Sequence, residues 1–252
     1  MKVFGFLLVC FSSFLLVSPA HGALVADYQF NNDLTSDVVG AGDLVDLGAG
    51  TYQTTQVNGR QDTVLGFTAG TGLRFDTSGL LANNEFTIVM WVAIDDNGSY
   101  VKLADFNNLV IDEGLYNYDG TLIVYDQADG TDVVINNGQF HQIVMTRSAG
   151  DEINGYVDGA LQISFTDNGE NIISADNFIH FFRDDDDTSN SENSSGQVAR
   201  IMVFDEALAA DDLGGLGLAP PVMVPTLSQY MLLFLALMIG IMGLFRAGIK
   251  QH

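Results

Sequence analysis

Residues 139–166, GQFHQIVMTRSAGDEINGYVDGALQISF, decide the fold. Three apolar-rich runs, QFHQIVMTR, INGYVDG and ALQISF, are separated by two turn signals, Ala149-Gly150-Asp151 and Asp158-Gly159. An Asp-Gly pair between extended runs predicts a hairpin, because a type I′ turn needs positive φ at both central positions. Ile143, Met145, Tyr156, Val157, Ile163 and Phe165 are β-branched, aromatic or flexible apolar side chains suited to a half-buried pleated surface. The stretch predicts an antiparallel meander at the heart of a β-sandwich.

The flanking sequence has the same character. Residues 86–95, FTIVMWVAID, form the most apolar extended run. It has no 3.6-residue face, and its β-branched content predicts a central strand covered on both sides. Further short strands are expected at 24–30, 63–67, 72–75, 100–106, 115–118, 121–125, 178–183 and 197–204. Asn97-Gly98, Asp119-Gly120 and Asn137-Gly138 punctuate them as turns, and residues 43–50 read as loop with brief extended pieces. Residues 205–213 alone have helical character, stopped by Gly214-Gly215. Many short strands separated by Gly, Asn and Asp predict an all-β fold, a two-sheet antiparallel β-sandwich of jelly-roll type.

Charge narrows the partners. The formal net charge is −23, and all 32 acidic residues lie between Asp27 and Asp212, beside only six bases. Such a surface repels nucleic acid and anionic lipid headgroups, and it suits divalent cations, neutral glycans or a high-salt environment. It also serves simply as a solvating shell. The single cysteine is Cys10, so the domain that follows has no thiol or disulfide.

Both ends read as processing or membrane segments. Met1-Lys2, an apolar run and Ser18-Pro19-Ala20-His21-Gly22 predict a signal peptide over residues 1–22, cleaved before Ala23. The sandwich then occupies 23–218. Ala219-Pro220-Pro221 opens a linker, 219–229, ahead of an uncharged apolar run. That run predicts a transmembrane helix over 230–246, with a cytoplasmic tail at 247–252 marked by Arg246 and Lys250. A plain C-terminal anchor accounts for this layout. Val224, Pro225, Thr226, Leu227 and Ser228, followed by the apolar span and basic end, also resemble the bacterial IPTL-CTERM sorting signal. The resemblance implies an exosortase-type sorting protease as a partner, with the chain then released or transferred to the cell surface.

In the domain, ADYQF, then FTIVMWV, then QFHQIVMTR with GYVDGAL, then GQVARIMVFDEAL occur in an order that resembles bacterial laminin-G-like domains of the concanavalin-A-like lectin/glucanase superfamily. The resemblance covers residues 24–216 and implies the jelly roll.

For chemistry, the superfamily's glucanases need alternating acids on one strand, as Glu-x-Asp-x-x-Glu, to hold an acid and a nucleophile over one cleft. No such triplet occurs here, so the chain is expected not to be an enzyme. His141 and His180 fall in predicted strands and read as satisfied sheet histidines, and Trp91 reads as core rather than a sugar platform. The sharpest local feature is RDDDDTSNSEN at 183–193. Four adjacent like charges repel, and calcium takes six to eight oxygens. Asp184, Asp185, Asp187 and Glu192 are the candidate calcium ligands, with Asp184 and Asp185 nearest the strand end. A solvated acidic loop has the same composition, and the resemblance implies calcium near a loop rim.

Three functional readings follow. The first is an exported, surface-sorted, non-catalytic recognition or adhesion module that binds carbohydrate or another surface polymer with calcium assisting. The second is a structural component of an extracellular matrix or biofilm, and the third is a glycan-cleaving enzyme.

Overall fold

The computed structural model describes residues 22–48, 50–82, 84–189 and 191–218. The predicted signal peptide apart from Gly22, the linker, the sorting motif Val224–Ser228, the apolar span and the tail lie outside the described residues. No helix among the described residues is long and apolar enough to cross a membrane.

In chain order the strands are β1 (Leu24–Tyr28), β2 (Val45–Asp46), β3 (Tyr52–Val57), β4 (Arg60–Phe67), β5 (Leu73–Asp76), β6 (Phe86–Ile94), β7 (Tyr100–Asp105) and β8 (Gly114–Tyr118). They continue as β9 (Thr121–Tyr125), β10 (Ala128–Val133), β11 (His141–Arg147), β12 (Glu152–Val157), β13 (Ala160–Thr166), β14 (Phe178–Phe181) and β15 (Gly196–Phe204), before a short helix, α1 (Ala210–Leu213). Two antiparallel sheets result. An eight-stranded sheet runs β13-β12-β11-β6-β15-β4-β3, with β1 also on β15, and a seven-stranded sheet runs β10-β9-β8-β7-β14-β5-β2. All the paired strands are antiparallel, as the two-sheet sandwich requires.

The pleat explains the burial. Phe86, Ile88, Met90, Val92 and Ile94 of β6 alternate into the space between the sheets, where they join Ile143 and Met145 of β11. Val101, Leu103, Leu115, Leu122, Val124, Ile179 and Phe181 answer from the other sheet. The opposite face of β6 and its neighbours is apolar too: Val89, Val144, Met202 and Phe204 pack under Leu208 and Leu213. The segment after β15 thus covers the outer face of the eight-stranded sheet at its centre, which is why β6 is apolar on both faces from Ile88 to Ile94.

Several expectations are corrected. The β11–β13 meander forms one end of its sheet, and only β11 touches the central β6. Asp158-Gly159 and Asp119-Gly120 do turn hairpins with positive φ at both residues. Asn97-Gly98 does not, because it carries the chain from one sheet to the other. Asn97 is instead buried, donating from its amide to the Ile135 carbonyl at 2.5 Å and accepting from Asn117 Nδ2 at 3.0 Å. Helix α1 keeps only four residues. Residues before it are tied down in extended form, with the Leu208 N–H donating to Thr87 Oγ1 at 2.8 Å and Thr87 Oγ1 donating to the Glu206 carbonyl at 2.7 Å. Trp91 is half-buried on the outer face rather than in the core, its indole N–H reaching the Leu216 carbonyl at 3.4 Å.

Candidate functional site

Among the described residues, no such apolar cluster caps the outer face of the seven-stranded sheet over β7–β9. On β7, β8 and β9 the inward positions are Val101, Leu103, Leu115, Leu122 and Val124, so pleating turns Tyr100, Lys102, Tyr116, Tyr118, Ile123 and Tyr125 outward. Register sets them side by side: Tyr100 lies opposite Tyr118, and Lys102 opposite Tyr116. Gly114 lies opposite Tyr125. The rings form one patch. Tyr100 stacks on Tyr118 with centroids 4.2 Å apart and meets Tyr125 edge-on at 5.7 Å, while Tyr116 sits 6.0 Å from Tyr125. Tyr118 is 43% exposed, Tyr100 and Tyr125 are half-buried, and Tyr116 lies at the floor.

Carboxylates border this patch. Burial and the charges of Tyr118, Tyr125, Glu192 and Asp129 hold the Tyr100 hydroxyl above its ordinary value. Asp112, burial, Glu192, Asp126 and Glu113 do the same for Tyr125. Glu113 is pushed up to about 7 by burial first and then by Glu170, Asp126 and Asp112. Glu192 also rises to about 7, through burial and then Asp112 and Asp184. Near neutral pH these two carboxyls exchange between donor and acceptor forms. Partly exposed aromatic rings beside carboxyl groups match what a sugar presents: an apolar C–H face to stack on, ringed by hydroxyls to hydrogen-bond.

Residues 183–189 and 191–193 border the same face, and their acids divide into distinct roles. Asp184 and Asp185 are fully buried, whereas Asp187 is exposed and Glu192 half-buried. Asp185 Oδ2 lies 2.5 Å from the Lys102 ammonium, and Asp185 Oδ1 accepts the N–H groups of Asp187 and Thr188 at 2.8 and 3.2 Å. The cation beside Asp185 is therefore the chain's own lysine, which relieves the crowding that suggested calcium. Asp184 Oδ2 accepts from the Thr188 hydroxyl at 2.7 Å and the Glu192 N–H at 2.8 Å. Asp184 Oδ1 has no hydrogen-bond partner among the described residues. A different trio gathers its oxygens: Glu113, Asp126 and Glu170 place ligand atoms within 4.8 Å of one another. By donor chemistry this trio suits a hard cation.

His141 and His180 are each held by neighbouring polar groups. His141 Nδ1 lies 2.7 Å from Asp158 Oδ2, and Nε2 is 3.2 Å from the Asn136 N–H. His180 Nε2 meets Asn108 Oδ1 at 3.1 Å, and burial, then Arg74 and Arg183, pushes its pKa down to about 4.

The profile of the concanavalin A-like lectin/glucanases superfamily matches residues 67–214, more than half of the chain. No curated protein matches the chain. Among solved structures, domain 4 of AbnA, an extracellular arabinanase of Geobacillus stearothermophilus in complex with arabinotriose, aligns with TM-score 0.63 at 18% identity, covering 78% of this chain and 99% of that one. The binding domain of Paraclostridial Mosquitocidal Protein 1 aligns with TM-score 0.57 at 15% identity, covering 77% of this chain and 51% of that one. Botulinum neurotoxin type C, which interacts with two ganglioside molecules, aligns with TM-score 0.54 at 16% identity, covering 78% and 50%. This chain spans about half the length of the two toxin chains.

Proposed function

We propose, from the premise that the chain belongs to the concanavalin A-like lectin/glucanases superfamily, that it is a non-catalytic recognition module binding carbohydrate on the tyrosine-lined face of its seven-stranded sheet. One observation carries the reading: Tyr118 is exposed and stacks on Tyr100, which in turn meets half-buried Tyr125 edge-on, within a border of carboxyl groups. The sugar-bound arabinanase domain and the ganglioside-interacting toxin are similar in fold, which supports carbohydrate as the ligand class.

The proposal includes export with removal of residues 1–22. It also includes sorting through Val224–Ser228 by an exosortase-type protease and at least transient membrane attachment through 230–246. The sequence motifs support these steps. Calcium assists as a rim ion, and the Glu113, Asp126 and Glu170 oxygens supply the donor chemistry for it.

A glycan array that includes arabino-oligosaccharides and ganglioside headgroups, read with calcium and with a chelator, tests the proposal. Specific binding by the wild-type protein that falls about tenfold in Tyr118→Ala, the equivalent of 1.4 kcal/mol, is the expected result. Binding to no glycan favours a structural matrix role, and release of cleaved sugar makes the chain an enzyme.

A further inference from the structure

Lys102 is fully buried although its strand position points it outward. Phe182 and Glu192 close in on its strand: the Phe182 N–H donates to the Leu103 carbonyl at 3.2 Å, and the Lys102 N–H donates to the Glu192 carbonyl at 3.0 Å. Inside this enclosure Nζ is 2.5 Å from Asp185 Oδ2 and 3.0 Å from the Glu113 carbonyl, and lies over the Tyr116 ring at 4.6 Å from its centroid. Asp105 Oδ2 stands 3.8 Å away and Asp112 Oδ1 3.9 Å away.

Two features exceed what an ion pair needs. Asp185 Oδ1 is cradled by two backbone N–H groups, those of Asp187 and Thr188, while Oδ2 touches the amine. That is the arrangement of an acyl carbon polarised by an oxyanion cradle with a nucleophile alongside. Asp105, also fully buried, has Oδ1 fixed by the Asn107 and Leu109 N–H groups at 3.1 and 2.9 Å. Its Oδ2 has no hydrogen-bond partner among the described residues and faces Nζ, where it can carry protons. Water is excluded, so held charges are costly and a neutral product is favoured.

We propose that Lys102 and Asp185 condense within the folded domain into an intramolecular amide between Nζ and Cγ. Asp105 takes one proton from the ammonium and passes it to Asp185 Oδ2, and the freed Nζ lone pair then forms the N–C bond to Cγ of the neutral carboxyl. The carbonyl electrons move onto Oδ1, held by the Asp187 and Thr188 N–H groups. Asp105 then relays a second proton from Nζ to Oδ2. The C–Oδ2 bond then breaks, Oδ2 leaves as water and Oδ1 regains its double bond. The ammonium and carboxylate become one amide and one water, with Asp105 unchanged and no co-reactant required. The bond links β7 to the loop after β14 across 83 residues of sequence. It closes a long loop in a domain whose only cysteine lies in the predicted leader, at Cys10.

Intact mass spectrometry with tryptic mapping of the purified, folded chain tests this. The expected mass is one water below that of the sequence between the termini found. Trypsin should fail to cut after Lys102, and a branched peptide should join the segments containing Lys102 and Asp185. Lys102→Arg should restore the full mass, and the wild-type map decides the question even if that variant does not fold. A folded wild-type chain at full mass overturns the proposal. So does a water loss in a chain still cut after Lys102, which would place the dehydration elsewhere.

Discussion

Arg200 on β15 grips Asp27 on β1 with two parallel bonds, Nε to Oδ1 at 2.8 Å and Nη2 to Oδ2 at 2.7 Å. Both side chains are largely buried, at 11% and 7% exposure. A forked pair of this kind fixes register as well as contributing energy. It clamps β1 against β15 near the N-terminal end of the domain. Asp27→Ala leaves the guanidinium buried without this partner and is expected to cost about 3 kcal/mol. Urea unfolding of the wild type and the variant measures it, and β1 amides should lose exchange protection first.

The raised carboxyls give the domain an acid-leaning stability profile. Glu113 and Glu192 are held near 7 and Asp105, mainly by burial, near 6. A carboxyl raised in the folded state binds its proton more tightly there than when unfolded. Its contribution is full below the unfolded pKa and is lost as pH rises through the folded one. His180, lowered to about 4, works oppositely: its contribution is full above its unfolded value and is lost as pH falls towards 4. The melting temperature in chelator is therefore expected to fall from pH 5.5 to pH 8, and Glu192→Gln should flatten that slope. Scanning calorimetry across this range checks both.

Two glycines should respond very differently to alanine. A Cβ at Gly196 would meet the Ala93 carbonyl oxygen at 2.4 Å and the Phe67 ring at 2.5 Å. Backbone and core must shift together, so Gly196→Ala is expected to cost about 3 kcal/mol, the upper end of overpacking penalties. Gly159, in the β12–β13 turn at φ 80°, has nothing within 4 Å of such a Cβ. Gly159→Ala carries only the left-handed backbone cost of about 1 kcal/mol. Thermal melts of the two variants compare them.

The Ala23 nitrogen lies 2.7 Å from Asp205 Oδ1. If the leader is removed before Ala23, as proposed, that nitrogen becomes an ammonium and the contact becomes charge-assisted. Asp205→Asn should then lower the stability of the processed chain by about 0.5 kcal/mol more than that of the unprocessed one, a small effect because the contact is exposed. Equal effects in the two forms would argue against cleavage at that bond.

The fold was legible wherever burial imposed a pattern. The β6 run and the Asp158-Gly159 and Asp119-Gly120 hairpins were readable because one physical demand, an apolar face or a positive φ, determines each. Strands β3, YQTTQV, and β10, ADGTDV, were missed because they lie at opposite sheet edges and are mostly unburied. Polar edge strands discourage edge-to-edge pairing and so carry no hydrophobic alternation. The site was less legible. The acidic run 183–193 was visible in composition, but its pairing with Lys102 spans 83 residues and no local pattern encodes it. The tyrosine patch left one trace: Tyr116 and Tyr118 at period two, with Tyr100 and Tyr125 in neighbouring strands.

The central claim is that ligand is held on the tyrosine face. Trp91, the only tryptophan, lies on the outer face of the other sheet, which makes it an internal reference. The direct measurement is a titration of ring-labelled tyrosine and tryptophan resonances with the strongest glycan from the array. Saturable shifts at Tyr100, Tyr118 and Tyr125 with the Trp91 indole unmoved are the expected result. Shifts at Trp91 with the three tyrosines unchanged would contradict it.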